Sequence, residues 1–263
     1  MNLDLRTRHA LVCGASQGIG RAIAIELAGM GADVTLLARS QAGLETVLAE
    51  LPQPAEGQRH DILCADMLAT ESLAAQAAQL HDRHPVQILI NNSGGPAPGP
   101  LHEASPAQLQ AAFQQHLCAA QVLLQALLPG MREAGYGRIV NIISTSVKEP
   151  LPGLGVSNIV RAGTAAWAKT LAGELAADGI TVNNVLPGYT QTGRLERLID
   201  GRAESRGLSP QDVAQAMLKD VPAGRFGEPA EVAALAAFLC SPAAGYVNGT
   251  SIAADGGRVR SLN

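Results

Sequence analysis

The stretch HALVCGASQGIGRAIAIELAGMGADVTLLAR, residues 9–39, constrains the fold more than any other part of the chain. A short apolar run ends in a glycine turn. A helical pattern follows, with apolar residues three and four apart, and closes on glycine before a second apolar run begins at Asp33. Further short runs, ILCAD, QILINNS, RIVNIIS and ITVNNVLP, recur along the chain with helical stretches between them. They are apolar on both faces, as strands covered by helices on two sides must be. Repeated strand–helix–strand units predict an α/β fold: a Rossmann-type doubly wound parallel sheet of about seven strands, with right-handed crossovers and helices on both faces. The 263 residues contain no linker-like or low-complexity tract and no short-period repeat, so one domain, 1–263, is expected. The polar, Gly/Arg-bearing segment 192–228 stands apart from the periodic pattern and is expected to form a lid over the site.

Composition removes several function classes. The net charge is −4 and no block of Lys or Arg occurs, which argues against nucleic-acid and anionic-membrane partners. Cys13, Cys64, Cys118 and Cys240 are scattered, so neither disulfides nor a zinc site is expected, and a cytoplasmic location fits. The N-terminus shows no basic-then-apolar targeting pattern. The most apolar run, LCAAQVLLQALLPGM, is too short and too rich in glutamine to span a bilayer. His81 and His84 lie near a helix end without a completing ligand set, and the dipole of a helix C-terminus is reason enough for them there. No metal is expected.

The glycine turn is GASQGIG: Gly14, Ser16, Gln17, Gly18, Ile19 and Gly20. A pyrophosphate approaching a helix N-terminus needs bare backbone, whose N–H groups and dipole favour anions. Three glycines alone also describe an ordinary turn. Their place between strand and helix, at the start of a strand–helix–strand unit, favours dinucleotide binding. The second strand ends at Arg39, where an Asp or Glu would grip the ribose hydroxyls of NAD. A guanidinium there suits a 2′-phosphate, so NADP(H) is expected in preference to NAD(H). A solvated loop arginine is the alternative.

Further motifs follow in order: Asp66 with Met67 after the third strand, NNSG (Asn91 to Gly94) after the fourth, GRIVNIISTS on the fifth, LPGYTQTGRL after the sixth, and GYVNGTSIAADGG near the C-terminus. In this order and spacing, from about Leu5 to Gly257, the chain resembles the short-chain dehydrogenase/reductase family. The resemblance implies that Asp66 meets the adenine and that Asn91, Asn92 and Ser93 lie along the ribose. It further implies that Pro187, Gly188, Thr190 and Thr192 flank the nicotinamide and phosphates. Members assemble as dimers or tetramers, partly through the long helices after the fourth and fifth strands.

The family's hydride transfer needs a proton partner for the substrate oxygen. By resemblance, a strand serine, a tyrosine, a lysine one helical turn later and an asparagine on the preceding long helix serve. Here Ser144 fills the serine place. Ser157 stands at the tyrosine place, Arg161 at the lysine place and His116 at the asparagine place. The sequence resembles an atypical branch of the family that carries Ser-Asn-x-x-Arg here and a 3-oxoacyl-acyl-carrier-protein reductase label. Residues 157 and 161 share a helix face. Serine is a far weaker acid than tyrosine, whose pKa is ~10, and arginine does not release its proton. Arg161 can still hold the ribose.

Three residues are candidates for the donor role. His116, with an ordinary pKa of ~6.5, faces the serine in relatives. Lys148 lies in the loop STSVKEPLPG. Tyr189 follows Pro187-Gly188. A core histidine, a solvated lysine and a packing aromatic are their unreactive counterparts. Tyr136 and Tyr246 are too distant by resemblance, and two helical turns carry Lys169 away from the site. Trp167 is read as part of a core or oligomer face.

The expected function is NADP(H)-dependent reduction of a carbonyl, such as a 3-oxoacyl thioester. The alternative is an NADP-binding protein with little turnover, serving as a sensor or an oligomer partner. A third chemistry on the same frame, such as dehydration, has no residue that singles it out. Substrate selection is expected in residues 95–104, 147–156 and 192–228.

Overall fold

The structure is a computed structural model that describes residues 1–262. Seven parallel strands form one sheet in the order β3-β2-β1-β4-β5-β6-β7: β1 (His9–Cys13), β2 (Asp33–Ala38), β3 (His60–Cys64), β4 (Ile88–Asn91), β5 (Gly137–Ile142), β6 (Ile180–Pro187) and β7 (Ser251–Ala254). This is the doubly wound sheet that the alternating runs predict. Side chains along each strand point to opposite faces, and both faces are covered. Ala10, Val12, Ile88, Ile90, Val140 and Ile142 pack with α1 (Gly18–Gly29), α2 (Gln41–Leu48) and α9 (Pro229–Cys240). Leu11, Cys13, Leu89 and Ile139 pack on the other face with α3 (Thr70–Arg83), α5 (Ala119–Glu133) and α6 (Gly155–Leu175). Period-two alternation into two apolar layers explains why the runs read as continuously hydrophobic.

A short helix, α4 (Pro106–Phe113), precedes α5, and the π-helical turn Gln114–Cys118 joins the two. Beyond β6 lie α7 (Gly193–Arg206) and α8 (Pro210–Leu218), which close a small apolar cluster of their own. It contains Leu195, Ala203, Val213 and Met217, with Tyr189 and Phe226 against it. Each helix starts on a side-chain cap, Thr192 for α7 and Ser209 for α8. Strand order reverses between β1 and β4, which opens a crevice at the carboxyl ends of the strands. No helix is long and apolar enough to cross a membrane among the described residues.

Candidate active site

A cleft of about 940 Å³ runs along the carboxyl edge of the sheet. At one end the chain leaves β1 through the glycine turn. Gly14 and Gly18 have φ of +60° and +58°, a left-handed conformation in which a side chain is strained. A Cβ on Gly14 would lie 2.8 Å from both Asn92 Nδ2 and Asn92 O, and one on Gly20 would run into the Gly14 carbonyl. Asn92 Nδ2 donates to the carbonyls of Cys13 and Gly14, tying the turn to the end of β4. No side chain caps α1 and no acid lies in its first turn. Its N-terminal N–H groups are therefore available to an anion. Ser16, Gln17 and Ile19 line the cleft beside them. Across the cleft, Thr192 packs 3.3 Å from where a Cβ on Gly18 would stand.

Arg39 is exposed at the end of β2, lines the cleft and has no ion-pair partner among the described residues. Asp66 and Met67 line the same wall, with Asp66 Oδ1 accepting from Leu68 N at 3.0 Å. A dinucleotide with a phosphorylated ribose fits this set. Bare backbone and open N–H groups suit a pyrophosphate, and a guanidinium, not a carboxylate, stands at the end of β2.

Asn91, expected along the ribose, turns its side chain into the sheet. Asn91 does not line the cleft: it is buried, and its Nδ2 donates to Asn141 Oδ1. Asn141 donates to Asn184 and Asn184 to Ser251, so these side chains form a ladder across four neighbouring strands. In-register pairing of buried amides in the sheet turns Asn91 inward.

The opposite end of the cleft is built from β5, α6 and the start of α7. Ser144 Oγ accepts from Ser146 N at 3.0 Å, and Ser157 Oγ accepts from Arg161 Nε at 3.2 Å. Each serine thus uses a lone pair internally and keeps its O–H free to donate. Arg161 Nη1 also donates to the carbonyls of Ile142 (3.1 Å) and Ile143 (2.7 Å). One guanidinium therefore fixes the backbone leading into Ser144 and the Ser157 hydroxyl together. Burial, and then the nearby Arg194, lowers the Arg161 pKa to about 10, so it stays charged at neutral pH.

His116 lies on the π-helical turn, and its Nδ1 is hydrogen-bonded to Ser93 Oγ at 2.9 Å. Its Nε2 is buried without a partner. Burial first, then the charge of Arg161, lowers its pKa to about 3, opposed by a backbone hydrogen bond at Gly94. The expected titration near neutrality is therefore absent, and His116 is a neutral imidazole at pH 7. Lys148 caps the short turn after Ser144 and is not among the residues that line the cleft. Tyr189 does line it, but packs edge-on against Phe226 with Arg258 4.6 Å from its ring centre. Pro187, Gly188 and Thr190 continue this wall, and Gly188 is pressed so closely on Asp255 that a Cβ would come within 2.7 Å.

Residues set aside in the sequence lie elsewhere. The Tyr136 hydroxyl donates to the Cys240 carbonyl, Lys169 reaches the Gly249 carbonyl, and Tyr246 is fully exposed. Trp167 Nε1 donates to Gln121. His84 pairs with Asp33, and no metal-binding group of three His, Cys, Asp or Glu occurs among the described residues.

Sequence reasoning missed Arg194 and Arg258. Arg194 folds back from α7 to donate to the carbonyls of Gly95 (3.3 Å) and Pro96 (2.8 Å). Arg258 reaches Thr145 Oγ1 at 3.3 Å. The signal available was a charge census of the loops at the strand ends. Six arginines line the cleft against one carboxylate, Asp66, in a chain whose net charge is −4.

Residues 14–258 match the protein family described as enoyl-(acyl carrier protein) reductase. Among similar proteins, the 3-oxoacyl-[acyl-carrier-protein] reductase FabG of Haemophilus influenzae is 35% identical over 254 residues, covering 96% of this chain and 98% of that protein. The NADPH-dependent reductase BacG of Bacillus subtilis is 30% identical, with 97% and 99% covered. The crystal structure of L-sorbose reductase from Gluconobacter frateurii, complexed with NADPH and L-sorbose, superposes with a TM-score of 0.92 at 30% identity. All of both chains is covered.

Proposed function

The chain belongs to the short-chain dehydrogenase/reductase family, and we propose that it is an NADP(H)-dependent carbonyl reductase in which two serines and an arginine replace the family's tyrosine and lysine. The observation that carries this reading is the Arg161 guanidinium, which binds Ser157 Oγ and the carbonyls of Ile142 and Ile143 just before Ser144. The bound dinucleotide supplies the hydride. Gly14, Gly18 and Gly20 with the open N-terminus of α1 hold its pyrophosphate, Arg39 its 2′-phosphate, and Asp66, Asn92, Ser93 and Thr192 its flanks. The Ser144 and Ser157 hydroxyls donate to the substrate oxygen. The Arg161 charge stabilises the alkoxide developing there in a partly dry site, where such charge counts for more than in water. His116 is neutral and cannot act as an imidazolium acid at pH 7. It orients Ser93, and the proton reaches the alkoxide from solvent.

The relatives' substrates support a carbonyl as the reducible group, with 3-oxoacyl thioesters among the candidates. The 192–228 segment is read as the lid of a single catalytic domain spanning 1–263. The exposed Phe113 and Ile159 on α4 and α6 support homotetramer or homodimer assembly through that face. The free cysteines agree with a reducing, cytoplasmic compartment.

The test is NADPH consumption with a panel of carbonyls, 3-oxoacyl thioesters included. Arg161→Met should lower kcat by about 10²–10³-fold, the range for removing one preorganised oxyanion donor. NADPH that binds tightly but is consumed with no carbonyl would favour the sensor reading. Turnover indifferent to both Arg161→Met and Ser144→Ala would remove the proposed site.

A further inference from the structure

The substrate end of the cleft carries more positive charge than hydride transfer to a neutral carbonyl requires. Arg194 and Arg161 converge on Gly95: a Cβ there would lie 3.2 Å from Arg194 Nη2 and 3.3 Å from Arg161 Nη2. Neither guanidinium meets a carboxylate among the described residues. Arg161 is held by two carbonyls and a hydroxyl, Arg194 by two carbonyls. A third cation, Arg258, stands beside Thr145 with its Nε buried and unpartnered. Burial first, and then a neighbouring guanidinium (Arg194 for Arg161, Arg197 for Arg194), lowers the pKa of both, a situation that an arriving anion relieves.

The cofactor's phosphates do not account for this group. The pyrophosphate cradle is the glycine turn facing Thr192, and the candidate for the 2′-phosphate is Arg39 at the end of β2. Arg161 instead binds the backbone directly before Ser144. Arg194 converges with Arg161 on Gly95, which places an anion held by it on the Arg161 side of the cleft.

We propose that the substrate is an oxo acid whose free carboxylate lies one or two carbons from the carbonyl to be reduced, and that Arg194 is the residue that reads that carboxylate. This rests on the reductase reading and narrows it. The carbonyl carbon gains a hydride, its oxygen gains a proton, and the carboxylate leaves unchanged on a hydroxy acid. Arg161 serves the alkoxide, and Arg194 beside it, whose Nη1 and Nη2 each give one N–H to the carbonyls of Gly95 and Pro96, has its remaining N–H groups for the carboxylate. A thioester, having no charge at that place, leaves Arg194 without its partner.

The experiment compares 2-oxohexanoate and acetoacetate with their methyl esters and with acetoacetyl thioester, in NADPH turnover and in calorimetric titration of the protein with and without NADP+. In the wild type, kcat/KM should favour each acid over its ester by at least about tenfold, the scale of one charge-assisted hydrogen bond. The preference should collapse in Arg194→Gln and return in part in Arg194→Lys, with circular dichroism confirming that α7 is folded. Turnover of acids and esters at equal rates would overturn the carboxylate proposal and leave the reductase intact. Failure to bind NADP+ would overturn the reductase reading alone. The calorimetric arm still decides the carboxylate: saturable acid binding weakened in Arg194→Gln supports it, and no difference between acid and ester sinks it.

Discussion

The two ends of the cleft handle negative charge by opposite means. At the glycine end the protein uses backbone: bare Cα positions, unsatisfied N–H groups and a helix dipole. At the serine end it uses side chains: two hydroxyls and a converging pair of guanidiniums on Gly95. The first end keeps the expected residues at each glycine place, whereas the second keeps one residue of four. The contrast has a physical origin. The fold itself excludes a side chain at the turn, because a Cβ on Gly14 or Gly20 meets backbone or Asn92. Positions 157 and 161, by contrast, are delivered to the cleft by helix α6 whatever they carry. Fold fixes where a catalytic group stands, and leaves the chemistry to the residue placed there.

The contrast breaks most severely if the glycine end tolerates a side chain. Gly20→Val should weaken NADPH binding by about 100-fold or more, as overpacking against fixed backbone costs up to roughly 3 kcal/mol. Fluorescence titration checks this, and affinity within threefold of wild type would mean that the turn is not the pyrophosphate cradle. A smaller effect sharpens the boundary between the two ends. Arg39→Asp exchanges a phosphate partner for a ribose-hydroxyl acceptor, and should shift the NADPH-to-NADH affinity ratio by about 10–100-fold toward NADH, the worth of one or two charge-assisted bonds. An unchanged ratio would return Arg39 to the status of a solvated loop residue.

How much of this was legible in the sequence differs between the same two ends. The sheet was readable because its central strands β1, β4 and β5 bury both faces, and Leu11 against Ala10 or Leu89 against Ile88 leaves no polar position to confuse the pattern. The glycine turn was readable because steric exclusion is written directly into residue type. The burial of the Asn91 side chain was not legible, because the same NNSG letters describe a cleft wall and a buried amide, and only strand register puts Asn91 opposite Asn141. Arg194 and Arg258 were invisible because their relevance depends on α7 and the C-terminal loop folding back over β4 and β5. No local periodicity encodes that return. His116 falls on the π-helical turn that leads into the long helix α5, and its charge state was not legible. A histidine's pKa follows from burial and from neighbours far away in the chain, here Arg161 and Arg194.

That charge state gives the subtlest test of the contrast. His116 has a pKa of about 3 in the folded protein against an ordinary value of ~6.5. Between those limits the unfolded chain binds a proton that the folded chain refuses. Stability therefore rises with pH across the window and is lost as pH falls from ~6.5 toward 3. His9, lowered to about 4 by burial at the far end of the sheet, adds to the same limb. Replacing His116 with Asn leaves no titrating group there. Any fixed cost of losing the bond to Ser93 is the same at every pH, so the slope is the informative quantity. Urea unfolding between pH 4 and 6 should show a dependence reduced by up to about 1.4 kcal/mol per pH unit, one proton's worth, with His9 still contributing. The same variant tests catalysis, because a neutral imidazole cannot impose a titration on kcat near pH 6.5. A wild-type rate that falls through that midpoint and flattens in His116→Asn would make His116 the acid, and would restore to the serine end a proton donor of the ordinary kind.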